Sequence, residues 1–400
     1  MTGFLSIALY YNHYQCLGHT ARVLTLLSEI KKRLSSSDIS VIHGSTLQKF
    51  LRFPAYINNY SISPTLFTYK SFRDNLKVDS SVVETRGKQL ISLIERLDLS
   101  VFLSEYFPLG RNVCKYELLP VLYYLKRKHK KIFSSSGYPV ISSRSFKDIN
   151  KFIGFYDKVF VHTPSVELSY IADSYRDKKK KKEYLEFFRR HNNKVMFTGY
   201  ILPSQIEFSK KVNVNIRRNK INILVTRGAG AYYPEIISSS IKTSDFFGKN
   251  FHFIIIAGPS TPPDEWVLFQ KLFCKKKINN AVLVKYASNL NSLIRDSQLC
   301  ISTASYNTSV VLMYFNKNSI VIPFSGYENK YYREQPSRAR LLKDLIGSSI
   351  VEYSLLSPLR LKREIDKKIN KFLIKRSKVD RHWFRGRSVF LEEFLSACSI

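Results

Sequence analysis

Residues 4–32 read FLSIALYYNHYQCLGHTARVLTLLSEIKK, and the way this stretch divides decides the fold class. Its first part, Phe4–Tyr11, is almost wholly apolar, as a strand covered on both faces must be. Its last part, Thr20–Lys32, places Val23, Leu24, Leu27 and Ile30 on one side of a helix, because residues three and four apart share a face. A buried strand running through a short loop into an amphipathic helix is the opening of a β–α–β unit.

Outward from this stretch the same alternation continues. Strands are expected at Ile39–Ile42, Leu99–Leu103, Ile132–Ser134, Lys158–Val161 and Val195–Phe197, with a helix at Gly87–Arg96. A second series has strands at Ile221–Val225, Phe251–Ile256, Val282–Val284, Leu299–Ile301 and Ser319–Ile322, with helices at Asn289–Asp296 and Thr308–Phe315. Leu359–Leu373 reads as a basic amphipathic helix packed on the surface, and Lys178–Lys182 as a solvated loop between elements or a patch for anionic head groups. The polar, basic stretch Gly199–Lys220 separates the two series, so two doubly wound α/β domains are expected, residues 1–205 and 206–400.

A chain of 400 residues, 44% hydrophobic and 14% aromatic, is long enough for two cores and excludes disordered and fibrous classes. The five cysteines (Cys16, Cys114, Cys274, Cys300, Cys398) lack metal-ligand or redox spacing, which points to a reducing compartment. No leader-like N-terminus and no apolar run of ~18 residues is evident, so a cytoplasmic chain is expected. Lys plus Arg number 64 against 31 Asp plus Glu, a net +33. That charge fits an anionic membrane surface, and equally a generally lysine-rich composition. No nucleic-acid partner is expected, since no recognised module or interleaved aromatic–basic patch is present.

In open parallel sheets ligands bind beyond the carboxyl ends of the strands, so the loops after the strands are where chemistry belongs. Four stand out. NHYQCLGHTAR (residues 12–22) has Gly18 and His19 at a helix start, where a histidine could act as base or donor; a helix-capping turn is the plainer reading. LSEYFPLGRNVCKYE (residues 103–117) projects Glu105 from a strand end, followed by Arg111 and Glu117; these fit a base and a phosphate or acceptor contact, or a structural ion-pair network. TRGAGAYYP (residues 226–234) brings Arg227, Gly228, Ala229 and Gly230 to a strand-to-helix loop, suited to close approach of a pyrophosphate. STASYNT (residues 302–308) is a small-residue turn opening a helix, with REQPSRA (residues 333–339) one strand later. The first suits an anion at Ser305, Tyr306, Asn307 and Thr308. In the second, Glu334 and Gln335 could hydrogen-bond vicinal sugar hydroxyls, and Arg338 either supports a phosphate or is a surface helix residue.

The collinear set GHxxR, FPLGR…ELLP, TRGAG and YNT…EQxxRA, spanning about Asn12–Leu342, resembles the MurG-like glycosyltransferases related to family 28. The resemblance implies a GT-B fold, two Rossmann-like domains facing across a cleft. It implies that the C-terminal domain binds a nucleotide sugar and the N-terminal domain the acceptor, and that C-terminal helices can pack back on the first domain. It implies inverting, metal-independent transfer of a sugar, a hexose or N-acetylhexosamine, from a UDP- or other NDP-sugar to a hydroxyl of a lipid-linked, polysaccharide or small-molecule acceptor. No cofactor and no metal are expected, and attachment to the inner face of the cytoplasmic membrane would be peripheral. On this reading Glu105 and His19 are catalytic, with Glu105 favoured as base and His19 as positioner. Gly18, Arg22 and Arg111 lie on the acceptor side, and Arg227–Gly230, Ser305–Thr308, Glu334, Gln335 and Arg338 on the donor side. Three departures stand out: Tyr14-Gln15-Cys16 where extra glycines usually precede Gly-His, Thr303-Ala304-Ser305 where relatives favour glycine, and Val311 where relatives carry a ribose-binding glutamate. A nucleotide-sugar hydrolase or 2-epimerase on the same fold, and a non-catalytic basic membrane- or nucleic-acid-binding protein, remain the alternatives.

Overall fold

The computed structural model describes residues 4–12, 17–44, 51–63, 80–110, 114–139, 141, 146–175, 177–204, 208–229, 232–276, 279–324, 334–370 and 377–399. Two parallel sheets carry the chain. The first holds β1 (Ser6–Tyr11), β2 (Asp38–His43), β3 (Ile57–Ser61), β4 (Val101–Glu105), β5 (Lys131–Ser136), β6 (Lys158–Val161) and β7 (Val195–Phe197), in the order β3-β2-β1-β4-β5-β6-β7. The second holds β8 (Ile221–Thr226), β9 (Phe251–Ile256), β10 (Ala281–Val284), β11 (Leu299–Ser302), β12 (Ser319–Val321) and β13 (Ser349–Ile350), in the order β10-β9-β8-β11-β12-β13. In each sheet the winding reverses at one point, between β1 and β4 and between β8 and β11. Beyond those two points the strand ends leave a crevice with helix N-termini around it.

Side chains on alternate faces of each strand enter different cores, as a period of two requires. Ile7, Leu9 and Tyr11 of β1 pack with Leu26, Leu27 and Ile30 of the following helix, while Ala8 and Tyr10 pack with Phe102, Leu118 and Val121. Each large side chain so buried contributes about 1.5–3 kcal/mol. The last helix, Gly386–Cys398, crosses back to the first sheet, where Phe390 and Phe394 join the core of β1. Its start is pinned by Gly386, where a Cβ would meet the carbonyl oxygen of Tyr200 at 2.5 Å.

Several expectations need correcting. Lys178–Lys182 is not a loop but the first turns of a helix, Lys178–Arg190. The Asp177 carboxylate caps it by accepting from the backbone N–H of Lys179 (2.8 Å) and Lys180 (3.4 Å), and Tyr184, Phe187 and Phe188 bury its inner face. β4 runs to Glu105, two residues past the strand end expected at Leu103. Strands β3 and β13 were not expected. β3 has only Ile57 buried and β13 is two residues long, so neither shows an apolar run. The basic helix spans Pro358–Asn370, and residues 371–373 lie outside the described residues. Among the described residues no helix is long and apolar enough to cross a membrane.

Candidate functional site

The cluster expected on the acceptor side is built at the β1/β4 reversal. Helix Leu17–Arg33 begins there, and His19 and Arg22, three residues apart, share the face turned toward the end of β4. His19 Nδ1 lies 2.5 Å from Glu105 Oε2, and Arg22 Nη2 donates to Glu105 Oε1. All three are buried. Two such partners offset the desolvation of a buried carboxylate with charge-assisted hydrogen bonds. The Arg22 guanidinium also faces two aromatic rings, Tyr106 at 5.4 Å and Tyr306 at 5.2 Å from the ring centroids. Gly137, after β5, leaves room for it: a Cβ there would stand 2.8 Å from Arg22 Cζ.

Beneath this group sits His162, a residue the sequence did not single out. Its Nε2 pairs with Ser135 Oγ at 2.8 Å and its Nδ1 with Thr198 Oγ1 at 2.9 Å. Burial, and then the nearby Arg22 charge, push its pKa well below the ordinary histidine value, so it stays neutral. The only available sequence signal was its place one residue past a strand, in VHTP. Glu117 belongs to a second buried network, matching the structural ion-pair alternative. It accepts from Tyr10 Oη (2.5 Å), Asn12 Nδ2 (3.0 Å) and Arg86 Nε (2.7 Å). Arg111 lies outside the described residues.

The loops expected on the donor side meet at the β8/β11 reversal. Gly228 follows β8 with φ +75°, a conformation that favours glycine. A Cβ at Gly228 would lie 4.0 Å from Ser305 Oγ, so the two expected phosphate loops adjoin. Ala229 fixes the loop by accepting from Ser260 N at 2.7 Å, and Gly230 lies outside the described residues. Arg227 does not present its guanidinium as a ready phosphate ligand: it is buried and donates to Ala257 O, Tyr232 O, Thr261 Oγ1 and Glu265 Oε2. Helix Tyr306–Tyr314 starts at Ser305, whose side chain bonds Thr308 Oγ1 at 3.1 Å and makes no capping bond to the backbone. Its first-turn N–H groups therefore point outward with the positive end of the helix dipole. Val311 is buried in the apolar core.

One strand later, Gln335 Oε1 accepts from Phe324 N at 2.8 Å, holding the strand-end loop. Glu334 Oε1 accepts from Arg338 Nη2 at 3.0 Å. Arg338 is buried and not a surface residue. It donates to Ala304 O at 2.8 Å and lies 4.2 Å over the ring of Tyr138 in the first half. Its helix, Glu334–Ile346, packs on helix Glu167–Ala172. Two further contacts join the halves at the site itself. Asn307 Nδ2 donates to Gly18 O at 3.1 Å, and Tyr306 Oη donates to His162 O. A cavity of about 260 Å³ lined by Val214, Ile216, Arg218, Asn289 and Asp296 shares no residue with this cluster. Among the described residues no group of three or more His, Cys, Asp or Glu could hold a metal ion.

Residues 222–380 match the glycosyltransferase family 28 C-terminal domain. A curated relative from Prochlorococcus marinus subsp. pastoris is 27% identical over 47% of this chain and 48% of its own length. It is described as UDP-N-acetylglucosamine–N-acetylmuramyl-(pentapeptide) pyrophosphoryl-undecaprenol N-acetylglucosamine transferase. The chain thus spans about half the length of the curated relatives it matches. MurG of Acinetobacter baumannii superposes over 98% of this chain and 95% of its own with a TM-score of 0.52 at 12% identity. A UDP-glucose:anthocyanidin 3-O-glucosyltransferase in complex with UDP superposes over 99% and 95% with a TM-score of 0.62 at 11% identity. The two-domain α/β architecture is that of the GT-B glycosyltransferases.

Proposed function

We propose, from a chain whose residues 222–380 carry the family 28 glycosyltransferase domain, that this protein transfers a sugar from a nucleoside diphosphate sugar, UDP-linked, to an acceptor hydroxyl. The observation that carries the reading is the 3.1 Å bond from Asn307 Nδ2 to Gly18 O. It sets the start of the helix bearing His19 against the start of the helix at Ser305, so a base and an anion site face one another.

In the reaction the acceptor oxygen attacks the anomeric carbon as the bond from that carbon to the diphosphate oxygen breaks, and the nucleoside diphosphate leaves. Attack opposite the leaving group inverts the anomeric centre. The hydroxyl proton goes to His19. Nδ1 is bonded to Glu105, and Nε2 is the atom proposed to take the proton. Both Glu105 oxygens are engaged, by His19 and Arg22, so its role is to orient the imidazole and stabilise the imidazolium that forms. This reverses the assignment expected from the sequence. Charge developing on the diphosphate is met by the N–H groups at Tyr306–Thr308 and the backbone at Gly228 and Ala229, without a metal. Glu334 and Gln335 are the residues proposed to bind the donor sugar.

The relative described as acting on an undecaprenol-linked substrate supports a lipid-linked acceptor, and the +33 charge supports peripheral, salt-sensitive attachment to anionic lipid at the inner membrane face. Vesicle flotation that is absent at low salt would remove the attachment. The transferase reading is tested by adding UDP and UDP-sugars to the purified chain and following melting. A ligand at ~100 times its dissociation constant stabilises by ~2.7 kcal/mol. No shift with any nucleoside diphosphate would overturn the reading.

A further inference from the structure

The proposed donor site and the proposed base are usually two separate problems on two separate halves. Here the first two residues of the donor-side helix reach into the base's surroundings. Tyr306 lays its ring 5.2 Å from the Arg22 guanidinium, and Arg22 in turn holds Glu105. Its hydroxyl donates to the carbonyl of His162 and stands 3.5 Å from Ile201 N. Asn307 donates to the carbonyl of Gly18, the residue before His19. Both side chains are buried or half-buried. On the far side, Arg338 bonds Ala304 O at 2.8 Å and faces the Tyr306 ring at 5.5 Å, so the turn that opens the helix is braced as well.

We propose that Tyr306 and Asn307 are positioning residues, which couple the state of the diphosphate-binding helix start to the geometry of the His19–Glu105 pair. The inference rests on the transferase reading for its purpose, but its physical content does not need a substrate. Asn307 fixes the backbone that carries His19. Tyr306 closes one side of the box around Arg22, and Arg22 fixes the carboxylate that orients the imidazole. A diphosphate drawn to the N–H groups of residues 306–308 would pull on both contacts. Donor binding would then act on the placement of the base. Polar contacts of this kind act as a unit only if each partner is engaged.

The test reads His19 directly, by nuclear magnetic resonance of the full chain with ¹⁵N-labelled histidine rings, the His19 signals being those lost in His19→Ala. Asn307→Ala should displace the His19 ring signals, and Asn307→Gln, which keeps an amide donor, should return them toward wild type. Tyr306→Phe, which keeps the ring on Arg22 but loses the hydroxyl, should displace the His162 signals more than those of His19. Tyr314→Phe, at the other end of the same helix, should leave both in place. His19 signals that overlay wild type in folded Asn307→Ala and Tyr306→Phe, or that move as much in Tyr314→Phe, overturn the coupling. In the kinetic arm Asn307→Ala should lower kcat by ~10²-fold, the cost of a misplaced reacting group. Failure of the transferase reading has its own signature: UDP leaves wild-type melting unchanged while the Asn307→Ala displacement of His19 persists, which upholds the coupling and removes its proposed purpose.

Discussion

The Nδ1 atom of His19 lies 2.5 Å from Oε2 of Glu105, across 86 positions of sequence. A helix start and a strand end have been brought together so that one ring nitrogen is committed. The histidine sits at the positive end of its helix, which disfavours a protonated ring, while the carboxylate favours one. The opposed influences suit a group that must accept a proton during a reaction and release it afterwards.

His19→Ala is accordingly expected to lower kcat by ~10²–10⁴-fold, the usual contribution of a positioned base. Glu105→Gln should also lower kcat by at least ~10²-fold, because the amide no longer stabilises an imidazolium and leaves Arg22 without its carboxylate. Rates measured at saturating donor, on variants whose circular dichroism matches wild type, decide the matter. A Glu105→Gln enzyme near wild-type rate beside a dead His19→Ala would show that the carboxylate is dispensable to the base.

The close approach at Gly137 gives a prediction about packing. Its φ is not in the left-handed region, so the constraint is steric: a Cβ would stand 2.8 Å from Arg22 Cζ. Gly137→Ala should displace the guanidinium and cost about 1–3 kcal/mol, as overpacking does, with a lowered melting temperature. Gly154→Ala, where a Cβ meets nothing within 4 Å, should be neutral or slightly stabilising. Equal melting temperatures for the two variants would mean that Arg22 is not held as described.

Much of this was legible in the sequence, and for a physical reason. Strands buried on both faces must be continuous apolar runs, so Lys158–Val161 and Phe251–Ile256 fall where the runs fall. The helix Lys178–Arg190 was missed because five lysines masked the Tyr184, Phe187, Phe188 spacing that buries it. Gly18, His19 and Glu105 could be picked out because strand-end loops are where parallel sheets place ligands. What could not be read was which partner each polar side chain takes. Arg227 and Arg338 look like phosphate ligands in a list of residues, and both turn inward to buried carbonyls. His162 is marked only by its place one residue past a strand, and Glu167 by no local pattern; both matter because the second half closes over them.

Gln335 tests the sugar-gripping assignment. Its carbonyl oxygen is bonded to Phe324 N at 2.8 Å, which fixes the side chain and leaves recognition to its amide N–H₂ end. Gln335→Ala should raise KM for the donor sugar while leaving the dissociation constant for UDP within about threefold, a loss below the ~1 kcal/mol of one hydrogen bond. Titration calorimetry with UDP and with the UDP-sugar separates the two. Equal loss of both ligands would assign Gln335 to the loop rather than to the sugar.

Glu167 gives the pH dependence. It is wholly buried between the halves; Tyr200 Oη donates to its Oε1, and among the described residues its Oε2 has no hydrogen-bond partner. Burial raises its pKa from the ordinary 4.5 to about 7, against the lowering effect of Arg338 and the Tyr200 bond, with Glu334 adding to the rise. Tyr138 also faces it. A raised folded pKa means that between about pH 4.5 and 7 the folded chain holds a proton which the unfolded chain has released. The stability this contributes is fully present below the unfolded value and is lost as pH rises through about 7. The loss is on the order of 3 kcal/mol, at ~1.4 kcal/mol per pKa unit. Glu167→Gln keeps the shape and removes the titration, so denaturant unfolding should show wild type losing stability relative to the variant from pH 5 to pH 8. The gap should open between those values and stay constant above pH 8. Two curves that remain parallel from pH 5 to pH 8 would show that the carboxyl does not hold its proton, and that Arg338 alone has already settled its charge.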